Sequence, residues 1–261
     1  MKRLLTIAGS DSGGGAGIQA DLKTFHAFGC YGMSVLTAIT AQNTLGVQGV
    51  HDLPADFVAM QLESVVTDIG VDAAKTGMLS NAEIIRALSK KIRELGIPHL
   101  VVDPVMRAKS GDPLLKQEAQ SALIEEIVPL ADVITPNLPE AEVLAGMASI
   151  KTKEEMKEAA KRIHKKGAKN VLVKGGHREE DALDILYDGK GFTEFFADKI
   201  RVNNTHGTGC TYSAAIAANL ALGRNLKGAI AVAKQFITEA IRQSFKLGQG
   251  IGPLNHFVKV E

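Results

Sequence analysis

Short apolar runs that alternate with amphipathic stretches constrain the fold of this 261-residue chain more than any other feature. The runs are rich in β-branched residues and mostly lack apolar–polar alternation, which is typical of parallel strands covered on both faces. Between them lie helical stripes, as in residues 81–95, where the apolar side chains share one face before Gly96 and Pro98 end the helix. The pattern predicts an α/β fold with a doubly wound, mostly parallel sheet and helices on both faces.

The predicted strands are residues 4–8, 35–41, 71–74, 100–102, 133–134 and 171–173. The predicted helices are residues 56–69, 81–95, 115–127, 139–145, 153–166, 211–222 and 226–245. Residues 44–53 are expected to form a small hairpin or flap, and residues 181–197 a β-hairpin that turns at 188–191. The sequence contains no linker, low-complexity segment or repeat, so we expect a single domain over residues 1–261.

The charge balance excludes several classes of partner. The formal net charge is +1, and no basic block stands out, so neither nucleic acid nor a membrane surface is an expected partner.

The apolar run at residues 4–8 is too short for a signal sequence or a membrane span. Cys30 and Cys210 lie far apart without CxxC spacing, so neither a zinc site nor a disulfide framework is indicated. A cytoplasmic location is the expectation.

A glycine-rich motif at residues 8–21 follows the first predicted strand and opens a helix. Glycines at such a junction let a ligand approach the backbone and its free N–H groups. No Gly-Lys-Ser/Thr follows, as a Walker A loop requires, and the last small residue of a dinucleotide fingerprint is missing. A plain flexible turn is the alternative, but four glycines within residues 13–17 cost conformational entropy, which favours a ligand role.

Polar residues follow three neighbouring predicted strands. Asp103 follows the strand at 100–102, Asn137 and Glu140 follow 133–134, and Lys174 follows 171–173. Because ligands of open α/β sheets bind at the carboxyl ends of the strands, these side chains are expected to face one crevice. Asp103 could instead cap the next helix, and Lys174 could simply be solvated. The Asn137–Glu140 spacing favours a helix N-cap with its capping box.

A second glycine turn, at residues 205–210, leads into an alanine-rich helix. The backbone N–H groups of Gly207, Thr208, Gly209 and Cys210 would converge there as an anion hole. The helix N-terminus is also expected to lower the pKa of the Cys210 thiol. The alternative is a glycine turn followed by a small buried cysteine. The turn predicts phosphate binding, but it indicates no particular substrate.

Together the five motifs resemble, in order and placement, the ribokinase-like superfamily. They are more closely similar to the bacterial hydroxymethylpyrimidine/phosphomethylpyrimidine kinases of thiamin biosynthesis. The resemblance rests on residues 6–21, 40–44, 75–79, 103–106, 135–140 and 206–211, and it extends from about residue 4 to about residue 255. It implies a ribokinase-like fold, a homodimer, and use of ATP and Mg²⁺. The implied reaction phosphorylates hydroxymethylpyrimidine to its monophosphate and then to the diphosphate.

The resemblance also implies a pyrimidine pocket, made of Gly9, Asp21, Gln42, Met78 and Val105. Gln42 can read an aminopyrimidine edge because its amide offers both a donor and an acceptor. Asp21 would accept a hydrogen bond from the exocyclic amine or the hydroxymethyl group. Met78 and Val105 would sandwich the ring.

On the nucleotide side, the resemblance implies phosphate contacts from Lys174 and Mg²⁺ binding organised by Asn137 and Glu140, with Asp103 nearby. The residues implied in nucleotide binding are Lys174, Asn137, Thr205, Gly207, Thr208 and Gly209. Cys210 stands where the wider superfamily has an Asp base, and it would take the hydroxyl proton. Gly209 and Lys174 complete the implied catalytic set.

Three other functions are compatible with parts of the sequence. A pyridoxal kinase of the same branch is the nearest, although Gln42 favours the aminopyrimidine. A sugar kinase fits less well with the apolar Met78 and Val105. The remaining alternative is a non-catalytic pyrimidine-binding protein, and the intact Cys210, Lys174 and Glu140 argue against it.

Overall fold

The computed structural model describes residues 1–107, 111, 114–115, 117–176 and 182–259. In these residues the strands are β1 (Arg3–Asp11), β2 (Tyr31–Asn43), β3 (Gly46–Asp52), β4 (Ala73–Thr76), β5 (Leu100–Val102), β6 (Val133–Ile134), β7 (Val171–Lys174), β8 (Asp184–Tyr187) and β9 (Phe192–Phe195). The α-helices are α1 (Gly17–Ala27), α2 (Ala55–Asp68), α3 (Ala82–Leu95), α4 (Gln117–Ala122), α5 (Leu138–Ala145), α6 (Lys153–His164), α7 (Thr208–Ala221) and α8 (Leu226–Arg242).

The strands form one sheet in the order β3-β2-β1-β4-β5-β6-β7-β8-β9. Neighbours from β2 to β7 pair in parallel, and β3, β8 and β9 add antiparallel edges. In the centre, Leu5 of β1 pairs with Met33 on one side and Ala74 on the other. The predicted mostly parallel sheet is confirmed.

Helices cover both faces of the sheet, as the sequence predicts. One hydrophobic core lies under α2 to α6, and it takes Leu5 from β1. The second core lies under α1, α7 and α8, and it takes the adjacent Leu4. Because consecutive strand residues point to opposite faces and both faces are buried, the central strands are apolar throughout rather than alternating.

Several predicted boundaries move. The third strand is Ala73–Thr76 rather than 71–74, and α7 begins at Thr208 rather than at residue 211. The helix predicted at 115–127 divides into α4 and a π-helical turn, Leu123–Ile127; residue 116 lies outside the described residues. In the segment 44–53, β3 pairs with β2 as an edge strand. The predicted hairpin after residue 181 is confirmed as β8 and β9, and residue 181 itself is not among the described residues.

The topology brings the ends of several strands and helices together at one edge of the sheet. The carboxyl ends of the parallel strands β1, β4, β5, β6 and β7 meet there, and the N-termini of α1 and α7 pack against them. Within the described part of the chain, no helix is long and apolar enough to cross a membrane.

Candidate active site

A cavity of about 760 Å³ opens at the carboxyl ends of the parallel strands. Its wall contains every predicted site residue except Asp21: Gly9, Gln42, Met78, Asp103, Val105, Asn137, Glu140, Lys174, Thr205, Gly207, Thr208, Gly209 and Cys210. This position agrees with the general rule for ligand crevices in open α/β sheets. Residues far apart in sequence thus share one cavity.

The anion-hole turn is held by a glycine that no other residue can replace without strain. Gly207, the N-cap of α7, has φ +84°, and no side chain caps the helix. A Cβ on Gly207 would overlap the carbonyl oxygen of Gly15, so the turn packs directly on the first glycine-rich loop. The first N–H groups of a helix have no partner within the helix, and here they belong to residues that line the cavity. The Thr208 N–H donates to the Thr205 carbonyl oxygen at 3.3 Å in the preceding turn, and the Gly209 N–H follows it. The arrangement suits an anion.

A partly buried lysine and a buried carboxylate face that turn. Lys174 Nζ lies 2.9 Å from Asp103 Oδ1, and Thr135 Oγ1 lies 3.3 Å from the same oxygen. A Cβ placed on Gly209 would lie 3.2 Å from Asp103 Oδ2 and 3.5 Å from Lys174 Nζ. The anion hole and the charged pair are therefore separated by little more than the width of one small group.

Asn137 and Glu140 form the N-terminal cap of α5, as their spacing predicts. Asn137 Oδ1 accepts from the Glu140 backbone N–H at 3.0 Å, and Glu140 Oε2 accepts from the Asn137 N–H at 2.9 Å. Burial raises the pKa of Glu140 to about 7; the Asp103 carboxylate adds to this, while Lys174 opposes it. The capping role does not exclude a role in the cavity, because the side chains of Asn137 and Glu140 also line the cavity wall.

The expected low pKa of Cys210 is wrong for this environment. Burial raises the pKa of the Cys210 thiol to about 11, and Lys75, although it favours the thiolate, does not overcome the loss of solvent. The carboxylates of Asp21 and Asp103 raise the pKa further. The position at a helix N-terminus, on which the prediction depended, is outweighed by desolvation.

Asp21 lies outside the cavity wall. Its side chain is fully buried and forms an ion pair with Lys75, at 3.0 Å from Oδ1 and 2.8 Å from Oδ2. Thr6 Oγ1 also donates to Oδ2, at 2.6 Å. Desolvation lowers the pKa of Lys75, but the Asp21 carboxylate, together with Cys210 and Asp103, raises it by more, so the lysine stays charged. The structure therefore does not bring Asp21 to the ligand side of the cavity.

The glycine-rich loop after β1 is organised by one carboxylate that sequence reasoning did not single out. Asp11 accepts the backbone N–H groups of Gly13, Gly15 and Ala16 at 2.8 to 3.0 Å. These N–H groups are therefore used within the loop, and they are not free to cradle a phosphate. The His206 ring, together with the N–H groups of Ala16 and Gly13, holds the pKa of Asp11 below its usual value despite burial.

The other end of the cavity combines an amide with apolar groups. Gln42 lies near His206, with 3.4 Å between Gln42 Nε2 and His206 Nε2, and the histidine nitrogen lies 2.9 Å from Asp11 Oδ2. Met78 packs against Gly9, where an added Cβ would lie 3.1 Å from its sulfur. Sequence reasoning assigned no role to Asp11 or His206; their places inside the two glycine motifs were the only available signal.

Comparison with known proteins defines the relationship. The phosphomethylpyrimidine kinase family model matches residues 11–255. The chain belongs to the phosphomethylpyrimidine kinase family. It is 56% identical to the thiamine biosynthesis bifunctional protein of Geobacter sulfurreducens, covering 99% of this chain and 53% of that protein. It is 48% identical to the hydroxymethylpyrimidine/phosphomethylpyrimidine kinase of Bacillus subtilis, covering 98% of this chain and 94% of that protein.

A solved structure supports the fold assignment. The ADP complex of Bacillus subtilis pyridoxal kinase superposes with a TM-score of 0.91 at 47% identity, covering 98% of this chain and 97% of that chain. The chain thus spans about half the length of the bifunctional relative but nearly all of the two Bacillus kinases. The ribokinase-like fold is confirmed, and the family is one of kinases.

Proposed function

We propose that this chain phosphorylates 4-amino-5-hydroxymethyl-2-methylpyrimidine with ATP, first to the monophosphate and then to the diphosphate, in thiamin biosynthesis. The observation that carries the proposal is the single cavity that joins the anion hole of α7 to the Gln42 and Met78 end. One end suits the transferred phosphoryl group, and the other suits a flat heterocycle with a polar edge. The family and its thiamin-pathway relatives agree with it.

The pyrimidine would lie between Met78 and Val105, with its polar edge against Gln42. An amide offers one donor and one acceptor side by side, which matches an aminopyrimidine edge. Gly9 leaves the floor of this pocket open, since even one Cβ there would crowd Met78. We assign Asp21 to the support of Lys75 beneath the pocket rather than to direct substrate contact, because its oxygens already accept from Lys75 and Thr6.

Phosphoryl transfer would depend mainly on position and charge. The backbone N–H of Gly209 and the ammonium of Lys174 would face the transferred group, and Thr205 and Gly207 shape the turn that holds it. The Thr208 N–H, which donates to the Thr205 carbonyl oxygen at 3.3 Å, would have to exchange that contact to join them. Such transfers pass through a loose transition state, so charge neutralisation and in-line alignment supply most of the rate. Asn137 keeps Glu140 in place through the capping box.

Asp103 and Glu140 would hold Mg²⁺. Two carboxylates beside a phosphate site suit a hard cation, and the raised pKa of Glu140 reflects a buried negative charge that a cation would relieve. Among the described residues, no group of three or more His, Cys, Asp or Glu side chains is placed to hold a metal. The remaining ligands of the ion would therefore come from phosphate and water. When bound, Mg²⁺ would neutralise charge on the phosphates.

Cys210 would act as the base for the first phosphorylation alone. The primary hydroxyl must lose a proton, and the thiol is adjacent to the anion hole. With a pKa of about 11, only a small fraction is thiolate near neutral pH, so the base is weak. The acceptor of the second step is a phosphate that is already ionised, and it needs no base.

Pyridoxal is the second candidate substrate. The similarity to Bacillus subtilis pyridoxal kinase favours it, and the same cavity would accept a pyridine ring. A coupled assay of ADP release with hydroxymethylpyrimidine, its monophosphate and pyridoxal tests the choice. We expect both pyrimidines to be turned over with a higher kcat/KM than pyridoxal. A clear preference for pyridoxal would overturn the assignment, and saturable pyrimidine binding without any ADP would indicate a non-catalytic binding protein.

We further propose that the chain forms a single domain over residues 1–261, acts in the cytoplasm where ATP is supplied, and assembles as a homodimer. Half-exposed apolar side chains on α2 support the dimer, since Phe57 and Met60 keep 50% and 57% of their surface accessible. Analytical ultracentrifugation tests the assembly: a dimer is expected, and a monomer at micromolar concentration would contradict it.

A further inference from the structure

The side-chain amide of Gln42 meets a polar group at each end. As placed in the structure, Gln42 Nε2 lies 3.4 Å from His206 Nε2, and Gln42 Oε1 lies 3.1 Å from Thr40 Oγ1. The nitrogen and oxygen of an amide have nearly the same shape, so the surrounding hydrogen bonds decide which end is which. The hydrogens available on His206 and Thr40 therefore determine how Gln42 is oriented.

At the His206 end, the ring nitrogen must carry a hydrogen. Its Nε2 lies 2.9 Å from Asp11 Oδ2, and this oxygen also accepts the backbone N–H groups of Gly15 and Ala16. An ionised carboxylate can only accept, so Nε2 is the donor, and its hydrogen belongs to the shorter contact with Asp11. A protonated ring nitrogen cannot accept from Gln42, so an NH₂ group there would bring two donors together 3.4 Å apart. The Oε1 atom, which faces the positive end of the N–H dipole, is therefore favoured on this side.

At the Thr40 end, one hydroxyl hydrogen is available for two contacts. Thr40 Oγ1 lies 2.9 Å from the carbonyl oxygen of Ser10, which can only accept, and 3.1 Å from Gln42. The hydrogen belongs to the shorter contact with the carbonyl, so Gln42 must donate to Oγ1 through Nε2. Both ends thus favour the same orientation, which is the placed amide turned over so that its oxygen and nitrogen exchange positions.

We propose that Asp11, His206 and Thr40 are positioning residues that hold Gln42 with Oε1 toward His206 and Nε2 toward Thr40, and that this orientation selects the ring edge of the substrate. The inference rests on the proposed function, which places Gln42 at that edge. The remaining lone pair and N–H of the amide form an acceptor–donor pair in a fixed order. A 4-aminopyrimidine matches it, with the amine on Oε1 and the ring nitrogen on Nε2.

The 4-oxo analogue of the same pyrimidine presents the opposite order. It carries a carbonyl where the substrate carries an amine, and a hydrogen on the adjacent ring nitrogen. Bound in the same pose, it would face Oε1 with an acceptor and Nε2 with a donor. It would bind well only if the Gln42 amide turned over, and the hydrogen bonds to His206 and Thr40 oppose that rotation.

Calorimetric titration of the full chain with the 4-amino and 4-oxo compounds tests the proposal. For the wild type, we expect the amino compound to bind at least about tenfold more tightly. In His206→Leu the preference should fall to about threefold or less, because the amide is released. His206→Gln keeps an N–H donor, and it should restore most of the preference. An unchanged preference in His206→Leu would overturn the proposal.

A second pair of variants tests the same orientation without altering the glycine turn that contains His206. Thr40 lies on β2, and Thr40→Val removes the acceptor for Nε2, whereas Thr40→Ser keeps it. We expect the preference to fall in the valine variant and to persist in the serine variant; equal behaviour of the two would contradict the assignment.

Parallel measurement of ADP release separates this inference from the proposed function. Binding with the expected preferences but without ADP would remove the kinase assignment and leave the positioning role standing. ADP formation with no preference in the wild type, or with the same preference in all variants, would leave the kinase assignment standing and remove the positioning role. Failure of the wild type to bind the amino compound would overturn both.

Discussion

Substitution of Gly209 by alanine tests the anion hole without disturbing the fold. Gly209 is the second residue of α7, and it is not among the glycines with positive φ, so alanine fits its backbone. In an exposed helix interior, Gly→Ala contributes up to about 1 kcal/mol of stability, and less at the first turn. We expect the melting temperature of the variant to stay level or rise by up to about 4 °C.

Activity should fall even though stability does not. The new methyl group would lie 3.2 Å from Asp103 Oδ2 and 3.5 Å from Lys174 Nζ, and it would fill the gap between the hole and the charged pair. A phosphoryl oxygen must come within about 3 Å of the Gly209 N–H to be stabilised there. Displacing it should cost about what the loss of one such donor costs, 10²- to 10³-fold in kcat, or about 2.7–4 kcal/mol.

Gly228→Ala is the matched control. Gly228 is the third residue of α8, so the substitution is the same, and its Cβ would contact only the capping side chain of Asn225, at 3.3 Å, away from the cavity wall. Coupled ADP release and thermal unfolding should be measured on both variants. Equal, near-wild-type activity of the two would refute the placement of the phosphoryl group. A large drop in the melting temperature of Gly209→Ala would show that the backbone argument is mistaken.

Three further predictions address the remaining parts of the site. Below its pKa of about 11 the Cys210 thiol must lose a proton before it can act as a base, so the first-step kcat should rise about tenfold per pH unit from pH 7 to 9. The rise should vanish in Cys210→Ala, and the second-step kcat should change little with pH. A first-step kcat that is flat with pH would exclude the thiolate as the base. Lys75→Met leaves the Asp21 carboxylate buried without its cation and should cost about 3–5 kcal/mol in urea unfolding, whereas a loss under 1 kcal/mol would mean that Asp21 is neutral. Asn137→Ala and Asn81→Ala each remove an N-cap worth about 1 kcal/mol, but only the first should also lower kcat, because only Asn137 lies on the cavity wall; equal activities would contradict its role.

Much of the fold could be predicted from the local pattern of apolar and polar residues. Apolar runs without alternation require burial on both faces, and helices are the usual cover, so the sheet and its two layers followed from the sequence. The N-terminal cap of α5 could also be predicted, because Asn137 and Glu140 are three residues apart and their mutual hydrogen bonds depend only on helix geometry. Glycine turns marked where backbone approaches a ligand or another chain segment. These features are local, which is why spacing was enough.

The functional assignment needed more than local pattern, and the resemblance to a kinase family supplied it. The site residues implied by that resemblance reach one cavity because parallel strands share their carboxyl ends, and this part of the geometry can be expected from topology. Asp21 is the instructive difference. Its position in the motif suggested a ligand contact, but its environment contains a buried lysine from β4.

Only the tertiary structure decided the partners and protonation of the polar groups. Asp21 pairs with Lys75 across 54 residues, Asp103 with Lys174 across 71, and Asp11 with His206 across 195. No spacing rule connects residues at such separations, since they meet only when the strands pack. Burial likewise outweighs the helix N-terminus at Cys210, and desolvation is a property of the assembled core. The sequence determined which chemical groups are present and at which edge of the sheet; packing determined which of them remain available to a ligand.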